Sequence, residues 1–236
     1  PKLVVTAPDR PVGRHFTMTP SPTKVWAQEN GIPFIQPERI TDETLSLLEQ
    51  QDADLFVVVA YGKILPQKLI DLPRLGTLNI HYSLLPRWRG ASPVEAAILA
   101  GDAETGVSIQ KMVFKLDAGP VIAEERIAIE PDDTTPGLRG KLIPMGARLL
   151  AEYAVPALMN NEQILVEQDE SLMTHCGKTK KEDGLIDPLI YTDPELFKKE
   201  AKACFFHTVP PNEQDRYFEQ MLQILTQDTQ SPYISF

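Results

Sequence analysis

Apolar and polar positions along the chain follow two alternating periods. Short β-branched runs at residues 2–6, 32–35, 55–61 and 76–81 read as strands. The third, Leu-Phe-Val-Val-Val-Ala-Tyr, is continuously apolar and predicts a strand buried on both faces. Helical segments fall between these runs. Ser21-Pro22 joins an N-cap to a proline at the first helical position, and that helix stops at Asn30-Gly31. Thr41 caps a second helix through Leu45, Leu47 and Leu48, and residues 66–70 form a third. Residues 8–20 read as a long loop. The alternation of strand and helix predicts an α/β domain with a mainly parallel sheet.

The second half of the chain changes register. Ser92-Pro93 starts a helix that Gly101 ends. Residues 107–113 and 121–129 are strands separated by only a short segment, so antiparallel pairing is expected. Residues 134–161 predict a long helical stretch, kinked at Pro144 and Pro156. Beyond Asn161 the pattern loosens. Residues 178–183 are charged and read as linker, and residues 194–206 and 212–227 as short helices. The latter carries Phe218, Met221, Leu222 and Leu225 on one face. A boundary is expected near 174–188, leaving a main domain over 1–175 and a linker with a C-terminal region over 176–236.

Composition narrows the classes. A chain of 236 residues can bury a substantial core, and 42% hydrophobic with 24% charged residues is ordinary for a globular domain. A net charge of −10 argues against a broadly basic nucleic-acid-binding surface and leaves room only for a local basic patch. The 21 prolines are scattered between apolar runs and act as punctuation, not as a disordered tract. Cys176 and Cys204 have no metal-ligand spacing and read as reduced thiols. No apolar run approaches the ~20 residues that span a bilayer, and no signal-peptide pattern opens the chain. A cytoplasmic protein without a membrane segment is expected.

Asn79 and His81 lie two apart at the carboxyl end of a strand, so both side chains project to one face while Ile80 faces the other way. Ligands of open α/β sheets bind at that edge. By itself the pair has a structural reading, as does Asp117, since aspartate is favoured in turns such as Asp117-Ala118-Gly119-Pro120. The surrounding blocks change the balance. Asn79-Ile80-His81 is followed by Ser83-Leu84-Leu85-Pro86, then Arg87-Trp88-Arg89-Gly90, and later by Leu116-Asp117-Ala118-Gly119-Pro120.

Together, in this order, these blocks resemble the folate-dependent formyltransferases. Pro8-Asp9-Arg10-Pro11, Gly13-Arg14, Pro20-Ser21-Pro22 and Gly101-Asp102-Ala103-Glu104-Thr105-Gly106 are similar to the branch of that family acting on methionyl-tRNA. The resemblance covers roughly residues 3–210. It implies a Rossmann-like, mainly parallel sheet with helices on both faces and a short helical C-terminal extension. The first strand and helix of the family and its C-terminal barrel are missing from the pattern. It also implies transfer of a formyl group from 10-formyltetrahydrofolate to the amino group of methionyl initiator tRNA by a monomer, without a metal. Asn79, His81 and Asp117 would be catalytic, Ser83, Leu84, Leu85 and Pro86 would hold the folate, and Arg14 would touch the tRNA. Residues 61–65 would add another wall to the folate site. Arg87 and Arg89 read either as anion contacts or as solvated surface arginines, and His175 and His207 as structural. Alternatives are an amino-sugar formyltransferase and an inactive folate- or RNA-binding remnant.

Chemically, a tetrahedral oxyanion forms when an amine attacks a formyl carbon. The Asn79 carboxamide and a His81 ring N–H are donors able to stabilise it. Asp117 could move the proton or orient the imidazole.

Overall fold

The sequence places hydroxyl residues ahead of three helices, and each acts as a cap. Ser21 Oγ accepts from Lys24 N–H, Thr41 Oγ1 from Thr44 N–H and Thr134 Oγ1 from Gly137 N–H. The computed structural model describes residues 1–12, 16–160, 162 and 165–180. Arg14, Cys204, His207 and the helices expected over 194–206 and 212–227 lie outside the described residues. Packing divides the described residues into two units: residues 1–80 with 111–115, and residues 81–110 with those from Leu116 on.

In the first unit the elements are β1 (Val4–Val5), β2 (Arg10–Val12), β3 (Thr17–Thr19), α1 (Pro22–Glu29), β4 (Phe34–Ile35), α2 (Asp42–Glu49), β5 (Phe56–Val58), α3 (Gln67–Ile70) and β6 (Thr77–His81). β1 pairs with β4 and β5 with β6, both in parallel, with Val58 opposite Asn79. Leu48, Leu65, Leu69 and Ile70 form the buried cluster, and Val5, Ile35, Phe56 and Val58 pack against it. The expected long loop contains a hairpin: Arg10 pairs with Thr19 and Val12 with Thr17. Alternation was hidden there because Thr17–Thr19 is exposed throughout and offers no apolar face.

β5 is the larger departure. It is shorter than the apolar run, and only one of its faces is covered. Phe56 and Val58 meet the cluster, whereas Val57 and Val59 are 44% and 45% exposed. A continuous apolar run states that both faces can be buried, but neighbouring elements decide whether they are.

The second unit holds β7 (Arg89–Gly90), α4 (Pro93–Ala100), β8 (Glu104–Lys111), β9 (Val121–Ala128), α5 (Thr135–Leu149), α6 (Val155–Met159) and β10 (His175–Cys176). Gly101 caps α4 at φ +69, a conformation glycine adopts freely. β8 and β9 pair antiparallel as expected. Ile109 faces Ala123 and Gln110 faces Val121, so β9 carries one extra residue at Ile122.

The predicted kink takes another form. Pro144 sits inside α5 without ending it. Ahead of Pro156 the helix widens into a π turn, Leu150–Ala154, in which the Val155 N–H reaches the Leu150 carbonyl. By length and composition the 25-residue run Thr135–Met159 is apolar enough to cross a bilayer, contrary to the sequence expectation. One face of it packs and charged groups on it are paired. Leu138 and Leu142 are fully buried, while Arg139 pairs with Glu95 at 2.6 Å and Arg148 pairs with Glu125.

Truncating a fully buried leucine removes transfer free energy and leaves a cavity. Leu142→Ala is therefore expected to lower unfolding free energy by about 2–5 kcal/mol in urea titrations. A loss below about 1 kcal/mol would show that α5 is not part of the core.

Candidate active site

The site forms around His81, the last residue of β6, within the second unit. The imidazole is 5% exposed. Its Nε2 lies 2.9 Å from the carbonyl oxygen of Trp88. A carbonyl only accepts, so Nε2 carries the hydrogen. In the neutral ring the lone pair is then on Nδ1, which faces Asp117 Oδ2 at 3.7 Å.

Asp117 is held from several sides. Gly90 N–H donates to Oδ2 at 2.9 Å, and the Gln110 carboxamide donates to Oδ1 at 2.8 Å. The backbone at Asp117 has φ +48, a left-handed conformation that aspartate tolerates better than most residues. Gly90 is required where it stands. Its φ is +123, and a Cβ would come within 2.0 Å of the Cys176 carbonyl oxygen. Trp88, at φ +60, turns the chain so that its carbonyl meets His81 and the next turn presents the Gly90 N–H.

Burial dominates the electrostatics of His81 and pushes its pKa below the ordinary 6.5. The Asp117 carboxylate and the Trp88 carbonyl pull the other way. Burial likewise raises the Cys176 thiol, whose Sγ is 3.4 Å from both the Trp88 and the Arg89 carbonyl oxygens. His175 is exposed. Among the described residues no group of three or more His, Cys, Asp or Glu side chains is placed to hold a metal.

The Ser83–Leu84–Leu85–Pro86 loop turns many of its polar groups inward. Ser83 Oγ donates to the Arg87 carbonyl. The Ser83 carbonyl accepts from Ser108 Oγ, and Ser108 Oγ in turn accepts from Leu85 N–H. The Leu84 and Pro86 carbonyls accept from Arg87 N–H and Thr174 N–H. Leu84, Leu85 and Pro86 border an open cavity of about 480 Å³ with Arg87, Asp102, Glu104, Arg126 and Leu172. Tyr61, of the 61–65 segment, packs on the buried cluster of the first unit.

The two arginines of Arg87-Trp88-Arg89-Gly90 differ: Arg87 is exposed at the surface and Arg89 is buried. Arg87 forms a two-pronged pair with Asp102 and stacks over the Trp88 ring at 4.3 Å. Arg89 is fully buried and donates to Gln168 Oε1 and Glu170 Oε1. Asn79 lies on β6 opposite Val58, two residues before His81, and is half-buried. Gln110 and Gln168 escaped the sequence reading. A glutamine on a strand or in a late loop carries no local signal of function. The β9 irregularity beside Gln110 is itself visible only in the pairing.

Residues 2–153 match the family model of formyl transferases. The methionyl-tRNA formyltransferase of Acidithiobacillus ferrooxidans is 47% identical over 185 residues, covering 78% of this chain and 59% of that protein. Its counterpart in Methylobacillus flagellatus is 46% identical over 187 residues, covering 78% and 60%. The chain thus spans about three fifths of the length of the curated relatives it matches. A sugar N-formyltransferase from a Shewanella species superposes with a TM-score of 0.64 at 17% identity, over 75% of this chain and 70% of that one. HypX from Aquifex aeolicus in complex with tetrahydrofolic acid does so with a TM-score of 0.62 at 18% identity, over 75% and 30%. At these identities the two structures establish the α/β fold.

A lowered His81 pKa means that the unfolded chain takes up this proton before the folded one. Stability from His81 is therefore complete above 6.5 and is lost as pH falls below it toward the folded value. Between about pH 7.5 and about pH 5.5 the thermal midpoint is expected to fall more in the wild type than in His81→Gln. Equal slopes in the two proteins would contradict the buried, neutral imidazole.

Proposed function

The chain belongs to the formyl transferase family, and on that footing we propose that it transfers the formyl group of 10-formyltetrahydrofolate to the amino group of methionyl initiator tRNA. The support for that acceptor is the identity of 46–47% with methionyl-tRNA formyltransferases over 78% of the chain. The sugar N-formyltransferase is far less similar in sequence. The tetrahydrofolic acid complex of HypX and the tetrahydrofolate complex of PseJ from Anoxybacillus kamchatkensis support a folate donor. Bacterial relatives support a cytoplasmic site of action.

One observation carries the mechanism: the Nδ1 lone pair of His81 faces Asp117 Oδ2 across 3.7 Å. Two acceptors held this close form a receptacle for a proton. The attacking amine forms a bond to the formyl carbon, and the carbonyl oxygen becomes an oxyanion. The amine must then lose a proton, while the bond from the formyl carbon to the folate nitrogen breaks and that nitrogen gains one. A proton entering between Nδ1 and Oδ2 turns the contact into a charge-assisted pair, from which it can pass to the leaving nitrogen. The imidazole N–H is spent on Trp88, so His81 serves the proton. We assign the oxyanion to the carboxamide of Asn79. Leu84 and Pro86, with Ser83 and Leu85 supporting them, would hold the flat pterin, and Arg14 would touch the acceptor end of the tRNA.

Tetrahydrofolate release is followed in the presence of 10-formyltetrahydrofolate and either charged initiator tRNA or an amino-sugar nucleotide. Release with the tRNA alone is expected. Release with the sugar nucleotide alone would transfer the assignment to that class. Silence with both despite folate binding would leave a non-catalytic remnant. In an active chain, Asn79→Ala and Asp117→Ala are each expected to lower kcat by about 10²-fold or more with circular dichroism unchanged. The depressed His81 pKa places the acid limb of the pH–rate profile below 6.5. Undiminished turnover in either variant would remove that residue from the mechanism.

A further inference from the structure

We propose that Gln168 is a positioning residue, whose single carboxamide ties the Asp117–Gly119 turn to the buried guanidinium of Arg89 and so keeps the Asp117 carboxylate in front of His81. This deepens the formyl-transfer reading, because it names what holds the proposed proton acceptor in place.

The amide has one possible orientation. Gln168 Oε1 accepts from Arg89 Nε at 3.0 Å and from Arg89 Nη2 at 2.7 Å. Its Nε2 donates to the Asp117 carbonyl at 2.9 Å and to the Gly119 carbonyl at 2.6 Å. Guanidinium groups only donate and carbonyls only accept, so a flipped amide would lose all four contacts. Arg89, fully buried, is a fixed anchor, and Glu170 at 2.8 Å balances its charge.

The turn needs such an anchor. Asp117 is left-handed at φ +48, a conformation that costs a non-glycine residue energy and that its surroundings must retain. Gly90 and Gln110 grip the carboxylate, while Gln168 grips the carbonyls of the turn. If the turn relaxes, the carboxylate withdraws from both the Gly90 N–H and the imidazole. Gln168 touches no reacting atom and acts entirely through Asp117.

Two variants of the full chain separate positioning from stability. Gln168→Met keeps the volume and loses every polar contact. Gln168→Glu gives Arg89 a charge-assisted partner and offers no N–H to the two carbonyls. Hydrogen exchange at the Gly90 amide reports the Asp117 contact directly, with the Ile109 amide of β8 as internal control. Both variants are expected to accelerate Gly90 exchange about tenfold relative to Ile109, as loss of one hydrogen bond would. Where the wild type turns over, both are expected to lose about 10²-fold in kcat at unchanged KM. Wild-type Gly90 exchange in both variants, restoration by Gln168→Glu, equal acceleration at Ile109, or a change confined to KM would each overturn the assignment. A wild-type chain that does not turn over would defeat the formyl-transfer reading, and the Gly90 measurement would still decide the role of Gln168.

Discussion

A carboxylate held at both oxygens by neutral donors is the constraint on which the site depends. Asp117 receives one hydrogen bond from the backbone of Gly90 and one from the Gln110 carboxamide. These two donors fix the carboxylate in place beside the imidazole. Had Arg89 pointed at Asp117, the pair would have been an inert salt bridge. Arg89 instead donates to Gln168 and Glu170, and the Gln168 amide links it to the Asp117 carbonyl.

Histidine completes the arrangement by being buried. Desolvation keeps the ring neutral, and the Trp88 carbonyl selects which nitrogen holds the hydrogen. The result is a lone pair facing a carboxylate, a contact mildly unfavourable in the resting protein that becomes favourable when a proton arrives. The left-handed turns at Trp88 and Asp117 and the glycine between them belong to the same device. Each aims a backbone or side-chain group that a regular strand or helix would have pointed elsewhere.

The first unit shows the opposite economy. Its two parallel pairs cover one face of β5 with a small cluster and leave Val57 and Val59 half open. Its sequence is as apolar as that of a central strand, so the exposure reflects what surrounds β5 and not what it is made of.

Much of this was legible in the chain. Caps at Ser21 and Thr41, the antiparallel pair after α4, and the shared face of Asn79 and His81 follow from residues close in sequence, where local geometry controls the outcome. The motif order around Asn79, His81 and Asp117 was enough to place the chain in its family. The meeting of Asp117 with Gly90 across 27 residues and with Gln168 across 51 was not legible, nor was the hydrogen on Nε2. Those depend on which distant groups a folded backbone brings within hydrogen-bond reach, and a glutamine or a carbonyl looks the same in sequence whether it meets water or a buried aspartate.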